Sequence, residues 1–194
     1  MLAIVEVFFQ NGKISYDERC RLMGQRGLVV WFTGMSGAGK STIAVEVERI
    51  LYEQGTKAFL LDGDNIRLGI NSDLGFSDSD RNENIRRVTE IAKLFCNAGI
   101  VTLVSFISPF AQMRDKAKEL IGQEQFIEIY VKATLETCRE RDPKGLYKKK
   151  IENFTGVDSV YEPPVNPTLT IDTETTTVEA AVKMIIDIIK ERLL

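Results

Sequence analysis

Gly34-Met35-Ser36-Gly37-Ala38-Gly39-Lys40-Ser41 completes a G-x-x-x-x-G-K-[ST] loop, and its flanks decide the fold. The apolar run Leu28-Val-Val-Trp-Phe32 enters the loop. The residues that leave it repeat at helical spacing, with Ile43, Ala44, Val47, Ile50 and Leu51 on one face. Strand, glycine loop and helix in that order make a phosphate cradle. The glycines let backbone N–H groups turn inward, and the helix presents its positive end to the same anion. Gly34 to Thr42 are therefore read as a nucleotide-phosphate site, in which Lys40 reaches the β- and γ-phosphates and Ser41 is a hydroxyl ligand for Mg²⁺.

Outward from the loop, strand and helix signals alternate. Strands are expected near residues 28–33, 57–62, 100–106, 126–131 and 168–172. Helices are expected near 40–54, 80–98, 111–121, 134–140 and 177–193. That alternation predicts a three-layer α/β fold, a doubly wound and mostly parallel sheet with helices on both faces. Ala58-Phe-Leu-Leu61 and Ile100-Val-Thr-Leu-Val104 lack polar alternation, as strands buried on both faces do. Gly55 and Gly99 stand where helices end. In the last helix Val178, Ala181, Val182, Ile185, Ile186 and Ile189 form the buried side. The length suits one domain over residues 1–194.

Two stretches fall outside the alternation. Residues 1–16 form an unassigned extension in which Asn11-Gly12 could turn a small hairpin. Residues 142–167 hold four of the five prolines, with Lys144 and Lys148-Lys-Lys150, and have no steady period. A long irregular segment inside a compact domain is usually functional, and residues 142–160 are read as a mobile lid.

Composition narrows the chemistry. A net charge of −3 recruits neither nucleic acid nor an anionic membrane. No apolar run approaches the roughly 20 residues of a spanning helix. The start, Met1-Leu-Ala-Ile-Val-Glu-Val-Phe-Phe9, lacks the basic region and cleavage site of a signal peptide. Cys20, Cys96 and Cys138 are odd in number and widely spaced, which reads as reduced thiols in a cytoplasmic protein. The chain contains no histidine, so a proton acceptor is expected to be a carboxylate.

Asp62-Gly63-Asp64 ends the second strand, at the sheet edge where open α/β proteins bind ligands. Beside a bound Mg·ATP, one carboxylate can hold the metal and the other can accept a proton from an attacking hydroxyl. Asp62 is read as the metal ligand, with Ser41, and Asp64 is preferred as the base because it starts the next element, a choice that spacing alone does not settle. Asp80-Arg81-Asn82-Glu83-Asn84 opens a helix with Arg81 and Asn84 on one face and Ile85, Val88, Ala92 and Phe95 on another. Together with Arg67 they offer planar cations and an amide to a second anion.

Taken together, the segments Thr33 to Thr42, Leu61-Asp-Gly-Asp-Asn-Ile-Arg67, Asp73-Leu-Gly-Phe-Ser77, Asp80 to Arg87, Phe106-Ile-Ser-Pro-Phe110, Asp142-Pro-Lys-Gly-Leu-Tyr147 and Phe154-Thr-Gly156 occur in the order and spacing of adenylylsulfate (APS) kinases. The chain resembles that family over roughly residues 12–190. The resemblance implies ATP-dependent phosphorylation of the 3′-hydroxyl of adenosine 5′-phosphosulfate, with Mg²⁺. It also implies that Phe76 and Phe154 clamp the substrate adenine, and that Arg67, Arg81, Asn84, Lys144 and the backbone of Ile107 and Ser108 hold the phosphosulfate. Arg141 would lie near the ATP base, Lys40, Asp62 and Asp64 would act in catalysis, and the enzyme would be a homodimer. The counterpart of Ser108 is sometimes described as a phosphoserine intermediate, a step that direct in-line transfer does not need. The chain departs from the family pattern at Leu68, where His is common, and at Ala111, where Arg is common. Rival readings are another small-molecule kinase, a nucleotide switch and a binding-only sensor. The chain has no Asn-Lys-x-Asp guanine-reading motif.

Overall fold

The computed structural model describes residues 8, 10, 12–149 and 154–193. Five strands, β1 (Leu28–Thr33), β2 (Ala58–Asp62), β3 (Val101–Ser105), β4 (Phe126–Lys132) and β5 (Leu169–Asp172), form one sheet in the order β2-β3-β1-β4-β5. Every pairing is parallel. The helices are α1 (Tyr16–Met23), α2 (Lys40–Glu53), α3 (Gly63–Leu68), α4 (Asp78–Asn97), α5 (Ala111–Ile121), α6 (Leu135–Arg141) and α7 (Val178–Leu193). The chain leaves β1 for the far edge at β2, returns to β3, then crosses β1 to reach β4. Strand order therefore reverses at β1, and the loop after β1 opens at the switch point where such sheets bind ligands.

Side chains along β1 divide between two cores, as the period of two demands. Leu28, Val30 and Phe32 pack with Ile43 and Val47 of α2 and with Ile185 and Ile189 of α7. Val29 and Trp31 pack on the opposite face with Val88 and Ala92 of α4 and Met113 and Ala117 of α5. The expected three-layer, doubly wound architecture is what forms. β1 and β3 are buried at every position, as read from their unbroken apolar runs.

The reading of Ala58 to Leu61 as a strand buried on both faces is corrected. β2 is the sheet edge, and Phe59 is half exposed, stacked on Phe95 with ring centroids 5.4 Å apart. One of its edge donors, the Leu60 N–H, is satisfied by the Glu48 carboxylate at 2.8 Å.

Caps set the helix boundaries. Ser77 accepts from the Asp80 N–H and starts α4 two residues before the expected position. Gly55 and Gly99 have φ of 77° and 86° and close α2 and α4 as expected. α1 was not anticipated. Ser15 and Glu18 form a reciprocal capping box at its start, and Tyr16 donates to the Gly27 carbonyl at 3.2 Å. The Asn11-Gly12 hairpin falls on Asn11, outside the described residues. Among the described residues no helix is long and apolar enough to cross a membrane.

Candidate active site

The phosphate loop needs its glycines. Gly34, Gly37 and Gly39 have φ of 148°, 82° and 104°, in the region L side chains rarely adopt. A Cβ on Gly34 would lie 2.2 Å from the Val131 carbonyl oxygen of β4. Lys40, 8 % exposed, donates from Nζ to the carbonyls of Gly34 and Met35, both at 2.8 Å. Burial lowers its pKa from 10.5 to about 8.

Three strand ends meet beside it. Register pairs Ser105 with Phe32 on one side and with Asp62 on the other. The Ser41 hydroxyl donates to Asp62 Oδ2 at 2.7 Å and lies 3.2 Å from Ser105 Oγ. Asp62 Oδ1 accepts the Asp64 N–H at 3.0 Å and so caps α3. Asp62 thus ties the phosphate-loop helix to α3, while Asp64 projects from the first turn of α3 and ion-pairs with Lys144. Ser105 was not singled out from sequence, because only strand register brings it here.

The second end of the site is basic and aromatic. The Arg67 guanidinium lies over the Phe76 ring at 4.4 Å and donates to the Leu74 and Gly75 carbonyls at 3.2 and 3.0 Å. Arg81 donates to the Phe76 carbonyl at 2.9 Å and to the Thr155 hydroxyl. Burial lowers the pKa of both arginines, which remain cations at any physiological pH. Asn84 Oδ1 accepts from buried Asn71 at 2.8 Å, which commits the Asn84 amide nitrogen to act as a donor.

Between these ends runs the turn after β3. Ser108 holds a φ of 40°, in the left-handed region that non-glycine residues rarely adopt. Trp31 Nε1 donates to its hydroxyl at 3.1 Å, and Arg114 donates to its carbonyl at 2.7 Å. Thr33 holds the neighbouring Ile107 carbonyl at 2.7 Å. Arg114, 3 % exposed, also pairs with Glu128 at 3.0 Å and donates to the Glu162 carbonyl at 2.7 Å. Nothing in the local sequence signals that Arg114 and Glu128 support the Ser108 turn, since they come from α5 and β4. Arg141 closes the other side, donating twice to Thr173 at 2.8 Å.

One cavity of about 1100 Å³ joins these groups. Ser36, Gly37, Gly39, Lys40, Ser41, Thr42 and Arg141 line it on the loop side. Asp62 and Asp64, Arg67, Phe76, Arg81, Asn84, Ile107, Ser108, Lys144 and Phe154 line the rest. Gly34, Met35 and Ala38 stand behind the lining: Gly34 against Val131, Met35 against Gly156, and Ala38 in the core.

A phosphate loop at the switch point, carboxylates where β2 passes into α3 and a basic, aromatic pocket across one cavity define a P-loop phosphotransferase. Comparison with known proteins sharpens that class. The family model described as Adenylylsulphate kinase matches residues 26–172. An adenylyl-sulfate kinase of Clostridium acetobutylicum is 51 % identical over 189 residues, covering 95 % of this chain and 94 % of its own. One from Pseudomonas aeruginosa is 53 % identical over 183 residues, covering 91 % and 93 %. A Mycobacterium tuberculosis APS kinase, solved in complex with AMPPNP and APS, superposes with a TM-score of 0.82 at 44 % identity, over 85 % of this chain and 98 % of that one. The chain belongs to the adenylylsulfate kinase family, and it is a kinase.

Proposed function

We propose that this enzyme transfers the γ-phosphoryl group of ATP to the 3′-hydroxyl of adenosine 5′-phosphosulfate, giving ADP and 3′-phosphoadenosine 5′-phosphosulfate. The observation that carries this reading is the single cavity with a phosphate loop at one end, a cation-and-aromatic pocket at the other and Asp64 between them. The ribose oxygen attacks the γ-phosphorus, the bond to the ADP oxygen breaks, and the hydroxyl proton passes to the Asp64 carboxylate. Lys40 and the loop amides stabilise the charge that accumulates on the transferring group.

Asp64 becomes available when Lys144 leaves it, and the freed ammonium then joins Arg67, Arg81 and Asn84 at the phosphosulfate. Phe76 and Phe154 cover the substrate adenine, a stacking contact worth about 1–3 kcal/mol per base. Arg141 lies at the ATP base. Ser108 serves the substrate site through its backbone and through the hydroxyl held by Trp31. No covalent step through it is required. Residues 142–160 act as a lid within a single domain, and lid closure excludes water that would otherwise take the phosphoryl group.

The residues present suit magnesium. Ser41 Oγ lies within hydrogen-bonding distance of both Asp62 Oδ2 and Ser105 Oγ, and the three supply only hard oxygen ligands. Ser41 and Asp62 would hold the ion, which would help neutralise the negative charge of the phosphates. Family resemblance further supports a cytoplasmic homodimer, and the three free thiols suit a reducing compartment.

ADP release on offering APS, AMP and a sugar in turn tests the reading. Release with APS at least tenfold above the other acceptors is expected, and equal rates would overturn the assignment.

A further inference from the structure

Two contacts join the segment beyond α6 to the phosphate loop, and they fall on adjacent loop residues. The Tyr147 hydroxyl donates to the Ser36 carbonyl over 2.8 Å. Gly156, at φ 86°, packs so closely on Met35 that an added Cβ would lie 2.8 Å from its Sδ. Between these anchors the Tyr147 ring meets Phe154 edge-on, with centroids 4.7 Å apart and planes at 76°. Thr155 is 1 % exposed and is held by Arg81. Tyr147 also packs against the core between the sheet and helices α2 and α7, so its ring is not free to follow solvent. Burial raises the pKa of its phenol and keeps it a donor.

One side chain therefore touches the loop that takes ATP phosphates and the ring that covers the substrate adenine. The loop side of that link responds to phosphate. Lys40 donates to the Met35 carbonyl at 2.8 Å, and a phosphate that draws Lys40 to itself changes the bonding of the residue next to Ser36. The substrate side responds as well, because the edge of Tyr147 sets the tilt of Phe154.

We infer that Tyr147 is a positioning residue that couples the two nucleotide sites, so that loading the phosphate loop fixes Phe154 in its stacking pose. The inference rests on the reaction proposed above. Each contact is individually modest, so the coupling it transmits is expected at about three- to tenfold in APS affinity.

The test measures APS binding with and without saturating AMPPNP and Mg²⁺, in the wild type and in Tyr147→Phe, which keeps the ring and removes only the hydroxyl. In the wild type AMPPNP should tighten APS about three- to tenfold. In Tyr147→Phe that ratio should fall to about one, while APS affinity measured alone stays within about twofold. A role confined to folding would weaken both affinities and leave their ratio unchanged. Phe154→Leu, cutting the link at its other end, should abolish the ratio too and serves should Tyr147→Phe misfold by circular dichroism. Either variant retaining the full wild-type ratio, or a wild-type ratio of one, overturns the inference. Turnover of ATP and APS by the wild type is measured alongside. Its absence would instead overturn the proposed reaction.

Discussion

Lys144 reaches across the cavity mouth to ion-pair with Asp64, 80 residues earlier in the chain. In the proposed reaction this pair neutralises the carboxylate that receives the substrate proton, and an anionic substrate that attracts Lys144 would uncover it. Both side chains are about half exposed, 48 % and 62 %, so the pair contributes little to stability. Lys144→Met should leave the melting temperature within about 2 °C and raise KM for APS about tenfold. Steady-state kinetics with a thermal melt checks this. A lower melting temperature with an unchanged KM would make Lys144 a structural residue.

The two carboxylates of β2 and α3 should separate by experiment. Asp64→Asn should lower kcat about 10²- to 10⁴-fold with little change in the magnesium requirement. Asp62→Asn should raise the Mg²⁺ concentration needed for half-maximal rate, because it removes a donor beside Ser41. A magnesium titration of each variant reads the difference, and a reversed pattern would exchange their roles.

The fold and the grouping of residues around the cavity were only partly legible in the chain. The phosphate loop is local, so eight consecutive residues sufficed to place it, and the strand before and helix after it set the fold class. Arg81 and Asn84 were legible as one helix face because helical spacing is local as well. What the residues around Ala58 could not report is how many neighbours a strand acquires, since an apolar run reads alike at an edge and in the middle. α3 is six residues long and starts from the Asp62 cap, too short to show a period. α1 buries no residue, so it shows no periodicity to read, although the Ser15–Glu18 capping box was present as a signal. The Ser108, Arg114 and Glu128 network and the Tyr147 contacts join residues far apart in the chain, and only tertiary packing brings them together.

The depressed Lys40 pKa gives the activity a signed pH dependence. Burial favours the neutral amine, so before phosphate binds the charged form is lost as pH rises through about 8. Bound phosphate favours the charged form and raises the pKa again. kcat/KM for ATP should therefore fall as pH rises above about 8, while kcat at saturating ATP holds to higher pH. A pH profile with kcat/KM flat from neutrality to pH ~9.5 would contradict this origin.

Arg114 and Glu128 test the packing beneath Ser108. Arg114 is 3 % exposed, and its removal leaves the partly buried Glu128 carboxylate, 14 % exposed, without its partner. Arg114→Met should cost about 3–5 kcal/mol, and the pair Arg114→Met with Glu128→Leu should recover most of that loss. Denaturant unfolding of the two variants makes the comparison. Equal losses would show that hydrogen bonds to the Ser108 and Glu162 carbonyls, and not charge burial, dominate.

The most direct measurement is the structure of the wild-type enzyme with AMPPNP, Mg²⁺ and APS bound together. The APS 3′-oxygen should lie about 3–3.5 Å from the γ-phosphorus, in line with the bond that breaks and within hydrogen-bonding reach of Asp64. An APS molecule seated with its 3′-oxygen away from that line, or with Asp64 turned from it, would contradict the account.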